Sequence, residues 1–342
     1  MIPNQWYVIL ESRDVKAGKL VGVTRMGEKL VLWRDAQGKL ACLGDQCPHR
    51  GAALSLGKGL GERVLCPFHG FEYDASGRCR VVPAAGYQAP APKIMQARAY
   101  PVCEAHGFVY LWWGPQPVDE SALPPLPFFD SIDEKSFSSI TFQDPWATHY
   151  SRAIENQLDV VHLPFVHYNT IGRGHRTLVD GPLTRLTPMP GNSDLLELWV
   201  HNVADHGQRP LKPAEMPDPG RRPFLQFRFP NLWQNWISDE MRIVVAFVPV
   251  DDQHMIMVMR AYQKFVRLPG LRWLANLANM ASSLIIERQD RRVVVTQQPK
   301  RSDLRIGEHL IQGDGPIIVY RRRRRELIEA AEGPQPRSTP VE

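Results

Sequence analysis

Cys47, His49, Cys66 and His69 fall in two near-copies of one short phrase, "CPHRG" at 47–51 and "CPFHG" at 66–70. The chain has only five cysteines and eleven histidines, so two of each within 23 residues is a pattern rather than an accident of composition. One residue separates Cys47 from His49, two separate Cys66 from His69, and sixteen lie between the pairs. Two sulfurs and two imidazole nitrogens at such spacing form a four-ligand metal set. Zinc accepts that set. So does a two-iron, two-sulfide cluster with the cysteines on one iron and the histidines on the other. Pro48 and Pro67 stiffen the two loops. Gly51 and Gly70 let backbone approach the bound group and donate N–H groups to it. Cys42, Cys79 and Cys103 have no such context and read as small buried hydrophobes.

The surroundings of these loops are strands. Leu30–Trp33 and Leu40–Leu43 flank the polar turn "RDAQG", which reads as a hairpin. "GFEYDASGRCRVV" after His69 reads as strand, turn, strand. A short zinc finger would instead run into a helix after its second pair. Residues 1–115 therefore form a small all-β domain with the four ligands on loops at its tips. "GPQPVDESALPPLPFFD" at 114–130, with five prolines, reads as a linker into a second domain over 116–342. Strands dominate there too, with one helix-like stretch at "SRAIENQLDVVHL" and a long helical pattern from about Arg272 to Gln297. The segment "DHGQRPLKPAEMPDPGRRP" at 205–223 has five prolines and no periodicity, and such long loops tend to cover sites.

A second group of ligand types lies in "ENQLDVVHLPFVH", Glu155 to His167. Asn156, Asp159 and His162 are spaced by three and are expected on one broad helix face. Pro164 should end that helix near Leu163. His162 and His167 then meet on one ion only if the chain turns at the proline, so spacing alone favours a helix with two unrelated histidines.

Taken together, "CPHRG", "CPFHGFEYD" and N-x-x-D-x-x-H-x4-H in that order resemble the Rieske non-haem iron oxygenases, specifically the α (terminal oxygenase) subunit. The moderate length is similar to the monooxygenase and demethylase branch, which includes dicamba and vanillate demethylases. The resemblance implies an α+β chain: an N-terminal Rieske domain, then a helix-grip (START-like) catalytic domain with a curved antiparallel sheet and a long C-terminal helix. It implies a [2Fe–2S] cluster on Cys47, His49, Cys66 and His69, and a mononuclear Fe(II) on His162, His167 and a late aspartate. "IIERQDRRVVV" supplies Asp290, with Glu287 as the rival one turn earlier. Asp159 takes the family's bridging role, linking His162 to His69 of a neighbouring subunit, which implies a homotrimer. Asn156 matches a residue near the iron. Electrons would come from NAD(P)H through a partner, a ferredoxin and/or flavin reductase, since no G-x-G-x-x-G follows a strand here.

The expected activity is hydroxylation or oxidative O- or N-demethylation of a mostly apolar, aromatic or cyclic small molecule. Phe, Trp and Met in "QFRFPNLWQNW" and "VAFVPVDDQHMIMVM" suit such a substrate. Met255, Met257 and Met259 alternate onto one face. Two other readings stand beside it. One is a cis-dihydroxylating aromatic-ring dioxygenase; the other is a Rieske electron carrier fused to a ligand-binding domain without oxygenase activity.

Bulk composition fits a globular, two-domain chain of 342 residues with 43% apolar and 23% charged residues. The net charge of +5 equals the contribution of one run, Arg321–Arg325, which lacks interleaved aromatics and reads as the solvated face of a terminal helix. Nucleic acid is not an expected partner. No window approaches 18 consecutive apolar residues and the N-terminus lacks a signal-peptide pattern. With few cysteines in odd number, a cytoplasmic, non-membrane protein is expected.

Overall fold

Strand patterning in residues 1–115 resolves into ten short strands. The computed structural model describes residues 1–115 and 120–332, so residues 116–119 of the expected linker lie outside the described residues. Contacts divide the chain into two compact units, one of 6–126 with 248–251, the other of 1–5, 127–247 and 252 onward. The stretch up to Leu126 stays with the first unit, where Trp6 Nε1 donates to Pro124 O at 2.9 Å.

The first unit contains β1 (Gln5–Glu11), β2 (Val21–Arg25), β3 (Glu28–Arg34), β4 (Leu40–Gly44), β5 (Lys58–Gly59), β6 (Arg63–Leu65), β7 (Glu72–Asp74), β8 (Cys79–Val81), β9 (Val102–Ala105) and β10 (Phe108–Trp113). They form three small antiparallel sheets, β1-β10-β9, β2-β3-β4 and β5-β6-β7-β8. The expected hairpin is β3–β4, in register Val31↔Leu43. "CPHRG" follows β4 and "CPFHG" joins β6 to β7. Val31, Trp33, Leu43, Leu54, Val64 and Tyr73 pack with Cys47 and Cys66 in one buried core. Cys42 and Cys79 are buried as expected, but Cys103 is exposed. It lies on β9, at the edge of its sheet, where the burial expected for a small hydrophobe is not available.

The second unit is built on a seven-stranded sheet. Its strands are β11 (Ser138–Trp146), β12 (Leu178–Thr187), β13 (Leu195–Val203), β14 (Leu225–Arg228), β15 (Leu232–Ser238), β16 (Met241–Pro249) and β17 (Met255–Gln263). The order is β11-β17-β16-β15-β14-β13-β12: the chain meanders from β12 to β17 and the earlier β11 closes the far edge. Helix α1 (Tyr150–Leu158) and the single turn α2 (Leu163–Val166) precede the meander; α3 (Pro269–Val294) and α4 (Gly315–Glu332) follow it. Helix α3 has 26 residues, about 39 Å at 1.5 Å per residue. It begins with proline in the first turn, where the missing N–H costs nothing, and lies against β11 and β17. This is the helix-grip arrangement expected from the sequence. Among the described residues, no helix is long and apolar enough to cross a membrane.

The arginine run corrects the sequence reading. Arg321 and Arg324, one turn apart on α4, are both buried. Arg321 donates to Glu155 on α1 at 2.7 and 2.8 Å and to Glu308 at 2.6 Å, while Arg152 joins the same two carboxylates. Arg324 donates to Ser302 O, and Arg323 pairs with Asp194. A run that counts as surface charge in composition is therefore largely an internal staple holding α4 to α1. Removing one member of a buried ionic cluster leaves its partners uncompensated, at a cost of about 3–5 kcal/mol. Arg321→Ala should lose that much in urea unfolding, while Arg322→Ala, at an exposed position, should leave the midpoint unchanged. Equal midpoints for the two variants would reject the staple.

Candidate metal centres

The two near-repeated phrases fold as one turn used twice. Gly51 N donates to Cys47 O at 2.8 Å and Gly70 N to Cys66 O at 3.1 Å. Cys47 N donates to Ala52 O and Cys66 N to Phe71 O, closing each loop one residue further out. The glycines sit at φ +75° and +72°, the left-handed region that L side chains rarely adopt. The result places the sulfurs and imidazoles differently. Cys47 and Cys66 are 2% and 1% exposed, whereas His49 and His69 are exposed. The histidine rings lie 4.9 Å apart, and His49 stacks on Phe71. Burial, then the neighbouring Cys47, push the Cys66 thiol upward. No disulfide joins them. Buried sulfurs with exposed imidazoles fit a cluster that exchanges electrons through its histidine edge.

Tyr73 lies against this site, with its hydroxyl 3.2 Å from Cys47 Sγ. A donor to a cluster sulfur stabilises the reduced, more negative state. Tyr73→Phe should lower the cluster's reduction potential by roughly 60 mV, the one-electron equivalent of about 1.4 kcal/mol. Protein-film voltammetry reads this directly, and an unchanged potential would show that the hydroxyl does not donate.

The second set is built where α1 ends. The helix stops at Leu158, five residues before the expected break at the proline. Asp159 takes extended angles as the C-cap, and its Oδ1 accepts from Val161 N at 2.6 Å, an Asx-type turn that competes with helix continuation. Asn156, Asp159 and His162 therefore do not share a helix face. Pro164 instead opens α2, and His162 and His167 flank that turn as its two caps. The reversal brings their rings to 5.2 Å. Asp290, on α3, completes the group: one ligand atom from each of His162, His167 and Asp290 lies within 4.8 Å of the others. Asp290 Oδ1 is 2.9 Å from His167 Nε2 and 3.5 Å from His162 Nε2. Yet Asp290 Oδ1 is buried without a properly directed hydrogen bond. Two nitrogens and a carboxylate oxygen converging in this way fit a divalent iron with open positions.

Several residues around this group were not legible in the sequence. Gln289 Oε1 lies 2.9 Å from His167 Nδ1, so that nitrogen keeps the proton and Nε2 is left bare to ligate. Thr170 and Asn169 hold Gln289 in turn. Gln157 donates to Asp290 Oδ2 at 3.3 Å. Burial alone would lower the His167 pKa, but the Asp290 carboxylate outweighs it and the net shift is upward. Asp159 Oδ2 is 3.5 Å from His162 Nδ1.

The three ligands face a cavity of about 440 Å³ within the second unit, walled by apolar side chains such as Trp233, Ile243, Met259 and Ile286. Of the three alternating methionines, Met259 lines it. Asn156 lines it too, with its Nδ2 buried and unpaired. Glu287 does not join the ligand group. It is 1% exposed, accepts from Trp146 Nε1, and sits beside Asp144, which Arg291 holds through two bonds at 2.7 and 2.8 Å. Burial, then the adjacent Asp144, push its pKa to about 8. A carboxyl raised above its unfolded value gives stability that is full below about pH 4.5 and is lost as pH rises through the folded value. Metal-free protein should thus lose stability between about pH 4.5 and 8, and Glu287→Gln should flatten that slope. Parallel pH profiles for the two proteins would contradict the assignment.

Comparison with known proteins places these sites in context. Residues 5–101 match the model of the Rieske [2Fe-2S] domain, and residues 146–330 match the vanillate O-demethylase oxygenase C-terminal domain. Toluene-4-sulfonate monooxygenase system iron-sulfur subunit TsaM1 of Comamonas testosteroni is 31% identical over 203 residues, 59% of this chain and 56% of that protein. The oxygenase component of 3-ketosteroid-9-alpha-monooxygenase of Rhodococcus rhodochrous is 29% identical over 169 residues, 48% of this chain and 42% of that one. The chain spans between 25% and 56% of the length of the first four curated relatives it matches. Among solved structures, NdmA of Pseudomonas putida CBB5 shares the fold with a TM-score of 0.74 at 21% identity, covering 96% of this chain and 91% of that one. Dicamba monooxygenase bound to dicamba gives 0.64 at 17% identity, covering 96% and 98%.

Proposed function

The chain belongs to the Rieske oxygenase family, in the group with a vanillate O-demethylase-type catalytic domain, and from this premise we propose that it is a terminal oxygenase that hydroxylates or oxidatively O- or N-demethylates a mostly apolar, aromatic or cyclic small molecule. The observation that carries the reading is the convergence of His162, His167 and Asp290 within 4.8 Å on the wall of a 440 Å³ cavity. Cys47, Cys66, His49 and His69 would hold the [2Fe–2S] cluster, and His162, His167 and Asp290 the Fe(II). When bound, the two groups supply single electrons and a site for dioxygen. The chain's own residues do the rest. Gln289 fixes the His167 tautomer, and Gln157 turns the Asp290 carboxylate toward the histidines. The apolar walls exclude water and seat the ring. Asn156 Nδ2, buried and unpaired, offers a hydrogen bond to a polar substituent.

Electrons would arrive from NAD(P)H through a ferredoxin and/or flavin reductase; among solved relatives, carbazole 1,9a-dioxygenase is recorded as an oxygenase–ferredoxin complex. The partial exposure of Asp159, 24% at its side chain beside His162, supports the bridging role. A homotrimer in which it meets His69 of a neighbouring subunit gives the electron a hydrogen-bonded route. Thiolate ligands and a low cysteine count favour a reducing, cytoplasmic setting. The test is turnover under ¹⁸O₂ with a reductase and a panel of methoxy-, N-methyl- and methyl-substituted rings. One labelled atom per product is the expected result. Two labelled atoms in a cis-diol would favour ring dihydroxylation, and reduction of the cluster with no oxygenated product from any compound would favour an electron carrier.

A further inference from the structure

Helix α3 carries its apolar stripe on the outside. A helix at the surface of a folded unit ordinarily buries its apolar stripe and turns its polar face to water. Here the inward stripe is Asn276, Ser283, Glu287, Asp290 and Val294, all buried. Its polar groups are used inside: Asn276 Oδ1 accepts from Gln263 Nε2 at 3.2 Å, Glu287 accepts from Trp146 Nε1, and Asp290 faces His167. The opposite stripe is Leu271, Leu274, Ala278, Ala281 and Ile285, spaced by three and four, and all five are exposed. At the start of the helix the exposure widens. Residues 270–274 are exposed one after another, more than a full turn, so this end stands clear of the body. Leu268 and Trp273 are 65% and 62% exposed, and Phe265, Leu271 and Leu274 are each more than half exposed beside them in the chain. Large apolar side chains gathered at a surface in this way mark a contact with something apolar.

Charge decides what that is. Lys264, Arg267 and Arg272 are interleaved with these apolar residues. Arg272 Nη2 donates to Arg267 O at 3.0 Å and Lys264 Nζ stands 5.1 Å over the Phe137 ring, and none of the three has a carboxylate partner among the described residues. Asp239 and Glu240 line the same hollow as these cations, but Asp239 is committed to Arg222. Both acids of α3, Glu287 and Asp290, are buried, so its outer side presents Arg272, Arg288 and Arg292 and no acid. A second copy of the chain would suit the apolar stripe but not this charge. Antiparallel, it would bring the Arg288–Arg292 end of one copy to the Lys264–Arg272 end of the other; parallel, it would set each arginine beside its equivalent. An anionic, apolar surface is complementary in both respects. We propose that this face rests on an anionic phospholipid bilayer, with Phe265, Leu268, Leu271, Trp273 and Leu274 at the boundary of headgroups and acyl chains and Lys264, Arg267 and Arg272 on the phosphates. The contact lies on the membrane and does not span it, and among the described residues no helix is long and apolar enough to cross. Where the sequence leads to a non-membrane protein, this face makes it a peripheral one. Leu271 is roughly 28 Å along the helix from Asp290, at 1.5 Å per residue, so changes at the contact should leave both metal sites filled.

The test is co-sedimentation of the full-length, as-isolated protein with lipid vesicles. Vesicles of phosphatidylglycerol and phosphatidylcholine in equal parts should bind it about tenfold or more tighter than vesicles of phosphatidylcholine alone, a preference that shrinks as salt rises. The double variant Leu271→Ser, Leu274→Ser should bind the anionic vesicles about tenfold more weakly than the parent. The double variant Arg267→Gln, Arg272→Gln should lose most of the preference for anionic lipid. Brominated phosphatidylcholine in the anionic vesicles should quench part of the tryptophan fluorescence of the parent, and that part should be absent in Trp273→Phe. No binding to either vesicle, equal binding to both, or anionic binding that neither double variant weakens would overturn the proposal, the last by assigning adsorption to basic groups elsewhere on the chain. A protein that ignores vesicles but forms an oligomer that Leu271→Ser, Leu274→Ser dissociates would overturn it too, and assign the face to a second copy.

Discussion

Asp290→Ala should leave a protein with the colour and EPR signal of its cluster but without its mononuclear iron: about two irons per chain instead of about three, and no product. The expectation follows from how little else holds the ion. Among the described residues three ligand atoms converge, and Asp290 is the negative one of the three. Its contacts are few, with Oδ1 facing His167 and His162 and Oδ2 accepting from Gln157, so the alanine variant removes a charge and one of three ligands with little else. The cluster ligands are carried on separate loops of the other unit and should be unaffected. Asp290→Asn is the sharper companion, since it keeps the shape and the bond from Gln157 is replaced by another amide contact. Full iron retention in the alanine variant would return attention to Glu287, which lies one turn earlier but faces Trp146 and Asp144.

Asp159→Asn should behave in the opposite way, with both metal sites filled and electrons slow to pass between them. Asp159 is not among the converging ligands; its carboxylate stands 3.5 Å from His162 Nδ1 and caps Val161 N. An asparagine keeps the cap and loses the charge. If Asp159 orients His162 and bridges to the next subunit's cluster, the rate of cluster reoxidation in a single turnover should fall by roughly 10–100-fold or more, the usual cost of losing such a partner. The same rate in variant and parent would remove Asp159 from the electron route, and a loss of iron would make it a structural support for His162.

How much of this was legible depended on how local each signal is. The two loops that carry the proposed cluster ligands could be read almost whole, because their cysteines, histidines and glycines sit in five-residue stretches whose turns run from Cys47 to Gly51 and from Cys66 to Gly70. The second site was half legible. His162 and His167 are close in sequence, but the turn that unites them is set by the Asp159 cap, which overrides the helical spacing. Asp290 comes from a helix whose inward stripe is Asn276, Ser283, Glu287, Asp290 and Val294, four of the five polar. Apolar periodicity cannot reveal such a face, and Gln157 and Gln289 are invisible for the same reason. The arginine run was misread because composition counts charges without seeing Glu155, Glu308 and Asp194, which come from distant parts of the chain to meet them. The long proline-rich stretch at 205–223 ends with Arg221, Arg222 and Pro223 on the wall of a hollow beside the iron-facing cavity, a placement that only the folded sheet defines.

The central claim is that one chain carries both a Rieske cluster and a separate iron site. The most direct measurement is iron and acid-labile sulfide per chain on anaerobically purified protein, with an EPR spectrum after dithionite reduction. About three irons and two sulfides per chain, with a Rieske-type signal, is the expected result. About two irons and two sulfides, unchanged after incubation with Fe(II), would contradict it and leave the His162, His167 and Asp290 group without its metal.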